Sequence, residues 1–395
     1  MQGHVFVLFL LALTQIIAWG AVGVLPVIAS PVAADLGAAL PSVFLGTSVM
    51  YVALGIAAPA AGRLFRVFGM RGVMATGAAL IGAGLGVVAL SWNLLSFWSG
   101  WALVGVAGAA FLTTPAYAYL VEVAPTRARS LIGTLMLMTG LAASIFLPVT
   151  AFLDHLLGWR GALLVYAGAM AVVVCPLVGI GLPPVVAAPV TASRQDGARR
   201  GGIFVLLLLA IALNSFVTFG IQAVGIPLLQ AMGLDLARAV AVASLLGAVK
   251  VGGRVIDLLG GRRWDGLSTG LVAGAMIPLG LAAPWIGGAG LLPVTGFLLL
   301  FGVGSGAFAV ARATMPLVFF EKAGYATAMA ALALPMNLIN ALAPPLIAAA
   351  MDAAGPRATF ALLGGLSALA CAVLWQLHRL RPAKAAVKSS RVGLP

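Results

Sequence analysis

Arg312 is the residue on which chemistry can be hung first. It interrupts an apolar stretch, with Gly302-Val303-Gly304-Ser305-Gly306-Ala307-Phe308 before it and Met315-Pro316-Leu317 after it. A guanidinium stays charged and presents a planar fork of donors, a fit for a carboxylate or another oxyanion. The alternative is a structural arginine bonded to backbone carbonyls. Neutral polar side chains occur in other apolar stretches: Asn214, Thr218 and Gln222 at i, i+4 and i+8, Thr14 and Gln15, Thr113, Thr114 and Tyr117, and Asn337 and Asn340. The first three are expected to form a stripe on one helix face. Each of these groups suits a wet pathway, and each suits hydrogen bonding between helices equally well.

Other chemistries lack their residues. No P-loop, HExxH, zinc spacing or nucleophile elbow occurs, so an ATP-driven pump or a hydrolase has no motif, and no cofactor or metal is expected. Gly302 to Ala307 mimics a dinucleotide fingerprint but lies inside an apolar segment instead of after a strand, where close helix packing is its reading. Cys175 and Cys371 lie far apart without CxxC or ligand spacing and read as buried packing residues. His4, His155 and His378 fall near segment ends or in the tail.

The elements that must position these residues follow from composition. Of 395 residues, 63% are hydrophobic and 8% charged, and the mean hydropathy is +1.15. A soluble domain has about 25% charged residues. Apolar segments are predicted over roughly 5–28, 41–61, 72–91, 96–120, 131–153, 160–182, 203–226, 238–256, 265–285, 296–320, 324–350 and 357–377, each near the ~20 residues that cross a bilayer as helix. Helix is forced, because backbone polar groups must be satisfied within their own segment in lipid. An ionisable group at the centre of such a helix costs about 2.5–3.5 kcal/mol on insertion scales. By that test Arg312 stands alone, about eight residues or ~12 Å from its helix end, which places it close to the midplane. Asp35, Asp154, Asp235 and Asp352 fall at the opposite ends, so no buried carboxylate relay is evident. The first segment follows no Lys or Arg and precedes no clear cleavage site, which favours a retained helix over a signal peptide.

The net charge of +13 is explained by position and not by nucleic acid. Eighteen Lys and Arg residues, with Lys250 and Arg254 among them, are assigned to one side of the membrane. Arg160, Arg238 and Arg357 are assigned to the other. The positive-inside rule makes the rich side, with both termini, cytoplasmic. The polar stretch 183–202 separates six helices from six. The halves resemble each other: at an offset of 197, Gly105, Phe111, Pro148, Gly158 and Arg160 match Gly302, Phe308, Pro345, Gly355 and Arg357. At an offset of 191, Gly62, Arg63, Gly69 and Arg71 match Gly253, Arg254, Gly260 and Arg262. The expected organisation is an N-terminal bundle over 1–182, a cytoplasmic linker over 183–202, a C-terminal bundle over 203–378 and a basic tail over 379–395. Parallel repeats of this kind build secondary transporters, with the substrate between them.

The stretch Gly62-Arg63-Leu64-Phe65-Arg66-Val67-Phe68-Gly69-Met70-Arg71 resembles the G-x-L-x-D-x-x-G-x-R loop of the major facilitator superfamily, and Gly253 to Arg262 repeats it. The acidic position is Arg66 in the first copy and Asp257 in the second, so a charge-relay latch is expected only in the second half. Glu122 to Arg129 resembles a further family pattern, with Glu321 a loose counterpart of Glu122. Thr14 to Ile17 with Trp19-Gly20, and Arg312 to Leu317 with Gly324-Tyr325, resemble a bacterial branch that includes organic-anion carriers and arsenite exporters.

The resemblance implies twelve transmembrane helices in two six-helix bundles working by alternating access, with the first, fourth, seventh and tenth helices lining a central cavity. The expected function is non-enzymatic transport of a small organic anion across a bacterial inner membrane. Arg312 would hold it, with Asn214, Thr218, Gln222, Gln15, Tyr117 and Asn337 as neutral contacts, and a proton or a counter-anion as the possible coupling ion. The alternative is efflux of a metalloid or a hydrophobic toxicant, in which Arg312 is structural. A receptor on the same fold is a third class, without a soluble domain to support it.

Overall fold

A computed structural model describes residues 2–124, 127–185, 201–260, 265–319 and 322–381. The described chain is helical and without strands. Among the described residues, ten apolar stretches are long enough to cross a membrane. Two of them, Leu131–Gly181 and Leu338–Arg379, run to 51 and 42 residues, and in each the helix turns back at a glycine: Gly158 at φ 68° and Gly355 at φ 79°. Both have ψ of 171°, a conformation essentially restricted to glycine. Twelve crossings result.

The first half comprises α1 (Gln2–Val22 with Leu25–Asp35), α2 (Leu40–Phe68), α3 (Met70–Ala89), α4 (Leu94–Phe111 with Thr113–Val123), α5 (128–157) and α6 (159–181). The second comprises α7 (Gly202–Ala231), α8 (Leu236–Gly260), α9 (Gly266–Gly287), α10 (Leu291–Thr314 with Pro316–Phe319), α11 (322–354) and α12 (356–379). The face at which α1 begins and α12 ends is the basic face. Residues 186–200, most of the predicted linker, and 382–395 of the predicted tail lie outside the described residues.

Glycines set the spacing within each half. A Cβ at Gly105 of α4 would overlap the Met50 carbonyl of α2, and one at Gly302 of α10 would lie 2.6 Å from Val249 Cγ1 of α8. The matched pair thus performs the same close approach in both repeats. Gly306 meets the Lys250 carbonyl, and Gly304 faces Met276 Cβ of α9 at 2.9 Å. The fingerprint mimic is therefore a packing motif on both its faces. On the face opposite the termini, Arg160 ion-pairs with Asp35 and donates to the Ser91 carbonyl at 2.8 Å, tying the ends of α1, α3 and α6 together.

The motif expected to be a loop is mostly helix. α2 continues through Gly62, Arg63 and Arg66 to Phe68, and only Gly69, at φ 78°, makes the turn. No residue from Gly62 to Phe68 must leave helical geometry, so the helix ends where a positive φ first becomes necessary. Gly253 likewise lies inside α8, where a Cβ would strike the Val303 carbonyl of α10, whereas Gly62 has open space. Past the turn, Met70 N donates to the Val185 carbonyl at 2.7 Å and the Tyr119 hydroxyl to the Pro183 carbonyl at 2.8 Å. Arg71 lies within electrostatic reach of Tyr119. The start of the linker is thereby fastened to the base of the first half.

Candidate functional site

Extension of α8 to Gly260 changes the charge inventory of the membrane. Lys250 lies ten residues and Arg254 six residues from that end, about 15 Å and 9 Å of rise. Neither belongs to a connector, and Arg312 is not alone. Arg312 is seven residues from the end of α10 at Phe319, and Tyr117 is six from the end of α4 at Val123. Arg254, Arg312 and Tyr117 thus each lie six or seven residues, about 9–11 Å of rise, from the basic-side end of their own helix, with Lys250 one turn further in. Arg312 lies in the basic-side half of α10, which runs from Leu291 to Phe319.

These groups interact. Tyr117 lies within electrostatic reach of both Arg254 and Arg312, and Arg254 within reach of Arg312 and of Lys250. The Lys250 ammonium donates to Gln222 Oε1 at 3.4 Å and stands 5.8 Å from the Phe301 ring centroid. The Arg254 guanidinium donates from Nη1 to the Met136 carbonyl of α5 at 2.9 Å, and its Nε is buried without a partner. Arg312 and Gln222 are exposed, and Lys250, Arg254 and Tyr117 half-buried. Arg312 lies within electrostatic reach of Tyr117, which belongs to the other half. Ion pairs among the described residues join Arg160 to Asp35, Arg238 to Asp235 and Arg381 to Asp265; none involves these three cations.

Two predicted contacts point elsewhere. Asn214 is fully buried and accepts from Ser367 Oγ of α12 at 3.2 Å, inside the second half. Gln15 is 1% exposed and donates to the Phe111 carbonyl at 2.8 Å. There α4 is interrupted at Leu112, so the amide serves the break, and Trp19 Nε1 bonds Thr113 Oγ1 across it at 2.9 Å. The stripe on α7 fails for a geometric reason. Each i+4 step overshoots a full turn by about 40°, so two steps carry the row from the bundle interior at Asn214 to an exposed position at Gln222. Thr218, midway, is half-buried and bonds the Ser215 carbonyl of its own helix at 3.4 Å.

The side chains of Asn337, Asp257 and Arg129, and Arg262 itself, lie outside those described, as does Glu321. Gly260 closes α8, and Glu122 lies half-buried in the last turn of α4. Arg63 is exposed. The cysteines are half-buried and unpaired instead of fully buried. Cys371 lines an apolar groove of 840 Å³ between α9 and α12, with Trp285 and Trp375 on its wall. That groove contains none of the cations.

Three cations, a phenol and an amide drawn from both halves are thus linked by electrostatic reach and one hydrogen bond, a set of groups with the chemistry to attract anions. The sequence matches the Major Facilitator Superfamily over residues 8–285. Comparison with curated protein sequences finds no match. Among solved structures, a bacterial homologue of the human lysosomal transporter Spinster, in an inward-facing and occupied conformation, is 15% identical. The alignment covers 98% of this chain and 100% of that one, with a TM-score of 0.78. The nucleoside transporter NupG is 12% identical over 95% of this chain and 99% of its own, at a TM-score of 0.77. The human organic anion transporter MFSD10 is 17% identical over 94% and 99%, at 0.66. These likenesses carry the twelve-helix fold.

Proposed function

The chain belongs to the Major Facilitator Superfamily, and from that premise we propose that it carries a small organic anion, a carboxylate, between its two halves by alternating access. The observation that carries this reading is Arg312: exposed, within reach of Tyr117 on the opposite half, and without an acidic partner among the described residues. A bare cation within a membrane helix costs free energy, and a substrate carboxylate offsets it. Arg254 supports the same anion from α8 while its Nη1 holds α5, so ligand and interface compete for one guanidinium. The halves, 1–182 and 203–378, would rock about this site.

The basic face is the cytoplasmic one in this reading, by its excess of arginine, and the membrane is a bacterial inner membrane. Two contacts of α2 with the second half lie toward the opposite face, whereas Arg254 joins α8 to α5 nearer the basic face. Ser48 Oγ donates to the Ala341 carbonyl, and Tyr51 meets Phe219 edge-on at 5.2 Å. Ser48 and Tyr51 lie only about 12–16 Å along α2 from its opposite end. Return of the empty site with its cations uncompensated is unfavourable, which makes exchange against a counter-anion, or entry of the anion with a proton, the natural cycle.

The test is ligand-induced thermal stabilisation of the purified protein, alongside Arg312→Gln, with small carboxylates, inorganic oxyanions, arsenite and hydrophobic drugs. Binding to the folded state raises Tm by mass action. Stabilisation by carboxylates that Arg312→Gln abolishes is expected. Stabilisation of both proteins alike by neutral ligands, with none from anions, replaces this reading with toxicant efflux.

A further inference from the structure

We infer that the transported anion carries two negative groups, and that the second is held by Lys250 with Gln222. This deepens the anion reading and rests on it. Arg312 and Arg254 lie at similar distances from the basic-side ends of their helices and act as one charge centre toward Tyr117. Lys250 precedes Arg254 by four residues on α8, on the same helix face and about 6 Å deeper. The groups facing its ammonium are Arg254 from its own helix, Gln222 from α7 and Phe301 from α10. Two of these are neutral and the third repels it. The bond to Gln222, at 3.4 Å, is long for a charge-assisted one.

A monoanion seated at the arginines leaves the ammonium as it was. A second carboxylate one turn deeper gives it a partner and turns the weak amide contact into one wall of a subsite. Gln222 contributes its amide N–H groups, which donate to no partner among the described residues while Oε1 accepts from Lys250. The chemistry selects a short dicarboxylate over a monocarboxylate of equal length, because only the former compensates both charge centres.

The experiment compares succinate and glutarate with butyrate on the purified full chain, by equilibrium binding and thermal stabilisation, for the wild type, Lys250→Met, Lys250→Arg and Gln222→Leu. The wild type is expected to bind a dicarboxylate about tenfold or more tighter than butyrate, the scale of one charge-assisted contact. Lys250→Met should erase that preference and leave butyrate within about twofold, while Lys250→Arg retains it and Gln222→Leu weakens it. Equal binding of succinate and butyrate by the wild type overturns the inference, and this comparison decides even where a variant does not fold. So does a Lys250→Met that weakens both acids equally or neither. If butyrate and the dicarboxylates all fail to bind, or if Arg312→Gln leaves their binding unchanged, it is the anion reading itself that falls.

Discussion

Lys250 and Gly306 share one contact, and it shows how little room the cationic cluster has. A Cβ at Gly306 would overlap the Lys250 carbonyl, so Gly306→Ala must push α10 away from α8 and with it Arg312 from Arg254. A loss of about 1–3 kcal/mol is expected from such overpacking, read as a lower apparent Tm together with weakened ligand stabilisation. Gly62→Ala is the contrasting case. Its Cβ enters open space within α2, and helix propensity alone should raise stability by about 0.5–1 kcal/mol. A fall in Tm for Gly62→Ala would show that the motif glycine is needed for something the packing does not reveal. At this scale the sequence made Arg312 plain, because its flanks are apolar. Lys250 was equally legible between Val249 and Val251. Its closeness to the Gly253 to Arg262 motif, read as a loop, groups it with the surface charges in the sequence.

The breaks in the helices are where single side chains hold whole elements. Gln15 reaches from α1 to the carbonyl left free where α4 is interrupted. Gln15→Leu should therefore cost about 1–3 kcal/mol by stranding a buried acceptor while leaving the ligand profile of the protein unchanged; a changed profile would return Gln15 to the binding site. Gly158 and Gly355 are a second such pair. Alanine at either must adopt a positive φ near 70–80°, at about 1–3 kcal/mol each. The two lie in different halves, so the double variant should show the sum of the single effects. Offset pairing alone pointed to both positions and to the equivalence of Gly105 and Gly302. Helix ends were less legible. Nothing between Gly62 and Phe68 forbids helix, and composition changes gradually where lipid gives way to headgroups.

For the molecule as a whole, the seam between α5 and α8 is open to direct test. A Cβ on Gly247 would stand 3.5 Å from Ser144 Cβ, within the range a disulfide spans. Ser144→Cys with Gly247→Cys, in a background lacking Cys175 and Cys371, should oxidise readily and stop transport, and reduction should restore it. Full transport by the oxidised protein would mean that the halves do not part along this seam. Family and architecture were evident from hydropathy and repetition, because bilayer thickness imposes helix length and duplication preserves glycines. Which polar residues face the cleft was not evident, because that depends on helix rotation, and the 40° drift of an i+4 row is enough to turn Asn214 into the bundle. The one-glycine reversals at Gly158 and Gly355 have a practical corollary for those who would handle this protein. On that face two of the six hairpins expose almost no connecting chain, so proteases, inserted tags and antibodies must find their footing on the stretches 36–39, 90–93, 232–235 and 288–290 instead.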